Sequence, residues 1–267
     1  MSEPQITDSH CHLDFPDFEG QLDEILTRAA EAGVARMVTI CTKLKNEPSV
    51  RAIAEAHAPV FYAAGTHPMS AAEEPMTSVA ELVGLAKHPK FVGIGETGLD
   101  YHYTAESAEV QKRSLLIHIE AARETGLPLI IHSRAADDDM AQILGDEMAK
   151  GAFTCVMHCF SSSPELAKAT LEMGCYLSMS GIAAFPKSQE LRDIFAAAPI
   201  DRILVETDSP YLAPPPYRGK RNEPSYTAYT ARIGAEVFGM DYADFATQTE
   251  QNFDRLFWKV AQHQAVA

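Results

Sequence analysis

Eight short runs rich in β-branched and aromatic residues recur along this chain, and helical patterns separate them. The runs are ITDSHCHL, ARMVTI, VFYAAGTHP, FVGIGETGLD, PLIIHSR, TCVMHCF, YLSMSGI and ILVETDSP. Between the first two, QLDEILTRAAEAG puts Leu22, Ile25, Leu26 and Ala29 on one helical face, with Gly33 at its end. ESAEVQKRSLLIHIEAARETG also ends in glycine, SPELAKATLEMG opens on Ser-Pro with Glu165 in its first turn, and SQELRDIFAAAP stops at Pro199. Strands alternating with helices form parallel β/α units. A doubly wound sheet and a closed barrel both satisfy that rhythm. Eight strands in 267 residues match the barrel. No Gly-Ser linker, low-complexity tract or fixed-period repeat divides the chain. The expectation is therefore α/β, a (β/α)8 TIM barrel built as a single domain over residues 1–267. One extra C-terminal helix, DYADFATQTEQNFDRLFW, packs on it through Phe245, Phe253, Phe257 and Trp258 as core anchors.

In a parallel barrel the loops and side chains at the C-terminal strand ends form the active site. Those ends carry His10 and His12, His67, Glu96, His132 and Arg134, His158, and Glu206 with Asp208. A strand alternates its faces, so His10 and His12 point to one side and Cys11 to the other. A single buried histidine is ordinarily a satisfied core residue. Histidines or carboxylates at five further strand ends of one rim are explained better by metal. His57, His88, His118 and His263 fall on predicted helices or their ends and read as structural or solvated. The ligands divide into two sites: His10, His12 and Asp208 for one ion, His132 and His158 for a second, with Glu96 bridging through its two oxygens. Two ions about 3.5–4 Å apart can clamp both oxygens of an in-line phosphoryl displacement. The nitrogen and oxygen donor set suits Zn, Mn or Fe, and Mg less well.

Charge argues the other way. The net charge is −15, and an acidic chain is a poor general sink for polyanions. A nucleic-acid substrate would need metal ions and a local basic loop. The five cysteines, Cys11, Cys41, Cys155, Cys159 and Cys175, form no C-x-x-C motif. With neither a signal-like apolar run nor an 18-residue apolar stretch, they read as reduced, buried thiols of a cytoplasmic protein with no membrane partner.

The motifs DSHCHLDF, GIGETGLDY, IIHSR, HCF, ILVETDSPYLAP and RGKRNEP closely resemble those of the TatD-type metal-dependent hydrolases, in order, from about residue 6 to residue 224. The resemblance implies an amidohydrolase-like barrel, two divalent metal ions (Mg, Mn or Zn) and phosphodiester hydrolysis, often as a magnesium-dependent 3′–5′ exonuclease on DNA. It carries the ligand roles onto His10, His12, Glu96, His132, His158 and Asp208, the six chosen from the strand ends. Two departures stand out. GTHPM has Met69 where the family often has a second histidine, and HCFSSS replaces HCFSG. Phosphotriesterase-like relatives bridge their metals with a carboxylated lysine, whereas the fourth strand here offers Glu96 and no lysine.

The leading expectation is a metal-dependent DNase. Asp208 would bind metal and take the proton of the attacking water, and Glu96 would serve catalysis as the bridge. His67 would contact substrate or protonate the leaving group, and Glu206 would orient a ligand. Arg134 would hold a phosphate, and Arg218, Lys220 and Arg221 would hold the nucleic-acid backbone beside the metals. The alternative is an ester or amide hydrolase such as an aminoacyl-tRNA deacylase, since a superfamily shares sites and not substrates. Neither requires an obligate protein partner.

Overall fold

The computed structural model describes residues 4–266. Its strands are β1 (Ile6–Cys11), β2 (Val34–Cys41), β3 (Val60–Ala64), β4 (Phe91–Asp100), β5 (Leu129–Arg134), β6 (Cys155–Met157), β7 (Tyr176–Met179) and β8 (Ile203–Val205). Neighbours pair in parallel and follow chain order around the sheet. The ring closes between the last strand and the first. Cys11 bridges Ser209, His12 N donates to Ser209 O at 2.9 Å, and Asp208 N donates to His10 O at 2.9 Å. This is the expected (β/α)8 barrel, and its seam runs through the strand ends that bear His10, His12 and Asp208.

The outer ring comprises α1 (Leu22–Glu31), α2 (Glu47–Ala56), α3 (Val79–Leu85), α4 (Ala108–Thr125), α5 (Asp137–Lys150), α6 (Pro164–Glu172), α7 (Gln189–Ala197) and α8 (Thr227–Phe238). Local chemistry sets their ends. Ser163 Oγ accepts from Leu166 N at 3.3 Å with Pro164 as first helical residue, and Gly33 leaves α1 at φ 85°.

Two apolar layers result. The larger lies between strands and helices. The smaller fills the barrel, with alternate positions Val38 and Ile40 of β2, Phe61 and Ala63 of β3, and Val92, Ile130, Val156, Tyr176 and Leu204 from the other strands. Here the C-terminal segment departs from expectation. It is two helices, α9 (Tyr242–Leu256) and α10 (Trp258–Val266), separated by Phe257 at φ −92°, ψ 50°. The break lets Phe253, Leu256, Phe257 and Val260 all enter the barrel interior and close its N-terminal end. Each buried phenyl ring contributes roughly 1.5–3 kcal/mol. Arg36 of β2 ties α9 in place through Glu250 at 2.5 Å and Asp254 at 2.6 Å. Phe245 packs in the outer layer, and Trp258 Nε1 donates to Gly126 O at 3.0 Å. Among the described residues no helix is long and apolar enough to cross a membrane.

The cysteines also need correction. Cys155 and Cys175 are joined as a disulfide rather than held as separate thiols. Val156 pairs with Tyr176, so the preceding cysteines on β6 and beside β7 face one another with Cα atoms 5.0 Å apart. Cys159 lies beyond the end of β6 and shares no face with Cys155.

His118 of α4 links the outer ring to the rim. Its Nε2 accepts Thr66 N–H at 3.1 Å, so the neutral ring carries its proton on Nδ1 and donates to Ser114 O at 2.8 Å. Burial pushes its pKa from 6.5 down to about 4. Between those values the unfolded chain binds a proton that the folded protein refuses. This contribution to stability is therefore complete above pH 6.5 and is lost as pH falls towards 4. The slope is about 1.4 kcal/mol per pH unit. Urea unfolding at pH 7, 5.5 and 4.5 should show a steeper decline for the wild type than for His118→Gln. Parallel declines would exclude His118 as the titrating group.

Candidate metal centre

Strict alternation would turn three key side chains the wrong way. Ile6 and Cys11 both pack in the outer layer, although residues five positions apart would face opposite sides of a regular strand. The register of β1 against β2 shifts between Asp8 and Cys11, and this bulge lets His10 and His12 point inward. In β4, Ile94 also packs outward, so alternation would send Glu96 outward with it. A second bulge between Ile94 and Thr97 reverses that. Gly95 permits the turn at φ 128°, where a Cβ would stand 2.5 Å from Ile130 O.

Glu96 is 2% exposed, and four imidazoles converge on it. His158 Nε2 is 2.8 Å away, His132 Nδ1 3.1 Å, His67 Nε2 3.2 Å and His10 Nε2 3.4 Å. Burial alone would push this carboxyl up. The imidazoles, His158 and His67 foremost, outweigh burial and hold it well below the usual carboxylate range. His158 is driven well above the usual imidazole range against the pull of burial, by Glu96 and then Glu206. Asp208 Oδ1 lies 3.3 Å from His12 Nε2 and 3.9 Å from His10 Nε2.

The second nitrogen of each ring separates the histidines into two kinds. His12 Nδ1 meets Ile40 O at 3.2 Å, His158 Nδ1 meets Glu206 Oε1 at 3.3 Å, and His132 Nε2 meets Asp100 Oδ2 at 3.1 Å. An oxygen acceptor holds a proton on that nitrogen, so the ring in its neutral form turns its lone pair to the centre, as a metal ligand requires. His67 is the opposite. Its Nδ1 accepts Met69 N–H at 3.2 Å, so the neutral ring carries its proton on Nε2, aimed at Glu96. Burial lowers its pKa and favours that neutral form, although Glu96 opposes the shift.

The donors fit divalent cations. Ligand atoms of His10, His12 and Asp208 lie within 4.8 Å of one another, as do those of His10, His158 and Glu206 and those of His67, Glu96 and His132. Both ring nitrogens of His10 and Oε2 of Glu206 are buried without a hydrogen-bond partner, a costly condition that a cation bound at Nε2 of His10 would relieve in part. The grouping differs in part from the sequence expectation. His158 stacks on His10, with ring centroids 3.8 Å apart, and so belongs to both halves of the cluster.

These residues floor a cavity of about 1030 Å³, whose wall includes Phe15, Lys43, Met69, Tyr103, Arg134, Ser161, Ser162 and Tyr211. Arg134 lines it with its guanidinium 4.7 Å from the Tyr103 ring centre. Arg218, Lys220 and Arg221 do not line it. Arg218 lies 4.1 Å from the Phe185 ring centre, while Arg221 donates to Asp17 O and to Gln21 Oε1 at 3.1 Å. That loop folds back over the start of α1. Sequence reading passed over Asp100, although the strand end GETGLD contained it. It also passed over Lys43, which enters the wall from the loop after β2 and pairs with Glu73 at 2.9 Å.

The family model described as TatD related DNase matches residues 7–258. The chain is 37% identical over 252 residues to the uncharacterized metal-dependent hydrolase YabD of Bacillus subtilis, covering 94% of this chain and 98% of the relative. It is 38% identical over 255 residues to the uncharacterized metal-dependent hydrolase YcfH of Escherichia coli, covering 94% and 95%. The crystal structure of YJJV, a TatD homolog from Escherichia coli, superposes with a TM-score of 0.88 at 30% identity over 94% of this chain and 97% of that one.

The cluster should bind divalent metal through His10 and His12 on a common ion. In His10→Ala/His12→Ala, elemental analysis and calorimetric titration with Mn or Zn should give a lower stoichiometry than the wild type. A folded double variant with unchanged stoichiometry would remove the pair from the ligand set.

Proposed function

Because the chain belongs to the TatD-related family of metal-dependent hydrolases, we propose that it hydrolyses phosphodiester bonds of nucleic acid, most consistently as a DNase acting from the 3′ end. The observation that carries this reading is the split among the histidines. Three hold an oxygen acceptor on one ring nitrogen and turn the other to Glu96 (His132, His158) or to Asp208 (His12), and His67 turns an N–H to Glu96 beside them. That is an arrangement for cations and for a leaving group in the same cavity.

In this reading His10, His12, Glu96, His132, His158 and Asp208 hold two divalent ions. When bound, such ions neutralise charge developing on a phosphoryl group and acidify water. Asp208 takes the proton of the attacking water. Its Oδ1 is engaged by His12 and His10, and its Oδ2 has no protein partner among the described residues. His67 donates a hydrogen bond from Nε2 to the departing oxygen, and water supplies the proton that oxygen takes. Glu206 keeps His158 oriented by accepting at Nδ1, and Asp100 does the same for His132. Arg134 and Lys43 hold phosphate at the cavity wall, while Arg218, Lys220 and Arg221 meet only a chain long enough to leave the cavity.

End-labelled oligodeoxynucleotides incubated with Mg, Mn or Zn should be shortened from the 3′ end, and chelation should stop the reaction. Intact oligonucleotide under every metal would refute the reading. The hydrogen-bond role of His67 has a separate check. His67→Ala should lower kcat on an oligonucleotide roughly 10²–10⁴-fold without changing metal content. It should cost far less on a nitrophenyl phosphodiester, whose leaving group needs no proton. Lost metal would make His67 a ligand, and equal losses on both substrates would exclude a contact with the leaving group.

A further inference from the structure

Among the described residues, five large apolar or aromatic side chains stand out as exposed: Met69, Met76, Tyr103, Leu116 and Tyr211. Three of them, Met69, Tyr103 and Tyr211, line the one cavity that holds the histidine cluster. Tyr103 and Tyr211 are the most exposed, at 56% and 55%. Single exposed apolar side chains are ordinary, but several gathered at one cavity mark a ligand-binding surface. Here two such faces border the same site.

Their backbones are fixed. Asp100 Oδ1 accepts Tyr103 N–H at 2.8 Å and His102 N–H at 3.0 Å. Gln111, fully buried, secures the same loop by accepting Asp100 N–H at 2.8 Å and donating to Thr104 O at 2.8 Å. Tyr211 N donates to Asp208 O at 3.0 Å, and buried Asn222 donates to Tyr211 O at 2.6 Å. Each ring is also backed by the protein: Tyr103 by the guanidinium of Arg134, and Tyr211 by the edge of Phe15 with ring centres 6.1 Å apart. A platform ordered beforehand loses little entropy when a flat ligand covers it.

Their placement matters as much as their stiffness. Tyr103 follows β4 and Tyr211 follows β8, which are opposite strands of an eight-stranded ring. Strand spacing makes such a ring roughly 15 Å across. Glu96 on β4 and Asp208 after β8 lie on the floor between the two rings. A nucleotide chain crossing the mouth would set a base on each ring and a phosphate above the floor.

We propose that Tyr103 and Tyr211 are nucleobase-stacking platforms that grip the bases on either side of the scissile phosphate. This rests on the reading of the cavity as a nucleic-acid phosphodiesterase site. Stacking is tolerant of base identity because every base has a π face. The platforms therefore confer preference for nucleotides over simple phosphodiesters, without sequence selectivity.

The test compares two oligodeoxynucleotides, one intact and one abasic at both nucleotides flanking the terminal phosphodiester. On the intact substrate, Tyr103→Ala and Tyr211→Ala should each raise KM roughly ten- to a hundredfold, and Tyr→Phe at either position should restore it. The wild type should handle the abasic substrate as poorly as the Tyr103→Ala/Tyr211→Ala double variant handles the intact one, and the alanine changes should then cost nothing more. Equal losses on intact and abasic substrates, or no loss on either, would overturn the stacking role while leaving the nuclease reading in place. A wild type that turns over a small phosphodiester but no oligonucleotide would overturn both.

Discussion

The carboxylate of Glu96 is the constraint on which the rest of this structure depends. Removing a carboxylate from water costs several kcal/mol unless charge and hydrogen bonds compensate it. At 2% exposure Glu96 has no water to rely on. Its compensation comes from imidazoles on β1 and β5 and from His158 and His67 just after β6 and β3, so its burial is satisfied only when the barrel brings those elements together. The same requirement explains the bulge in β4. A regular strand would turn Glu96 into the apolar layer under the helices, where no cation waits for it.

The seam and the floor supply the stiffness that this centre needs. β8 is only three residues long, and ladder pairing between β8 and β1 is sparse. The closure is carried instead by backbone bonds around His10, His12, Asp208 and Ser209, reinforced where Asp8 accepts Thr207 N at 2.9 Å and Thr207 Oγ1 at 2.6 Å. At the opposite end α9 and α10 close the barrel with Phe253, Leu256, Phe257 and Val260. A sealed, apolar lower half leaves the polar cluster open on one side only. The ligands therefore sit on strand ends that cannot splay, and variation is confined to the loops above them.

Much of this was legible in the chain because its signals are local and periodic. Eight β-rich runs and the helical stripes between them specify the barrel, and reading the end of each run leads to His10, His12, Glu96, His132, His158 and Asp208. The rest depended on relations that spacing does not encode. Two register shifts decide which way Glu96 and the first two histidines point, and only the pairing with neighbouring strands defines them. The hydrogen bond from Met69 N to His67 Nδ1, which sets where the proton lies, depends on loop geometry. The basic run RGKRNEP reads as a substrate clamp because it follows Asp208 closely. A chain that turns back on itself carries Arg221 to Asp17 and Gln21 instead. The helical pattern through Phe257 likewise contains nothing to announce that two rings must enter the barrel together.

The acidic charge, which argued against a polyanionic substrate, acquires a different meaning in the cavity. Glu73, Glu96, Asp100, Asp137 and Asp208 line it against only Lys43 and Arg134. With His158 charged this leaves two negative charges, a field that repels phosphate at short range. Two divalent ions would bring four positive charges and reverse its sign. Substrate binding would then be coupled to metal binding by charge alone: an unloaded site would exclude nucleic acid, and a loaded one would attract it only over the metals. The rest of a surface at net charge −15 would continue to repel the chain. Contacts that do not depend on charge would then matter most beside the metals, and the two exposed tyrosines are the side chains best suited to provide them.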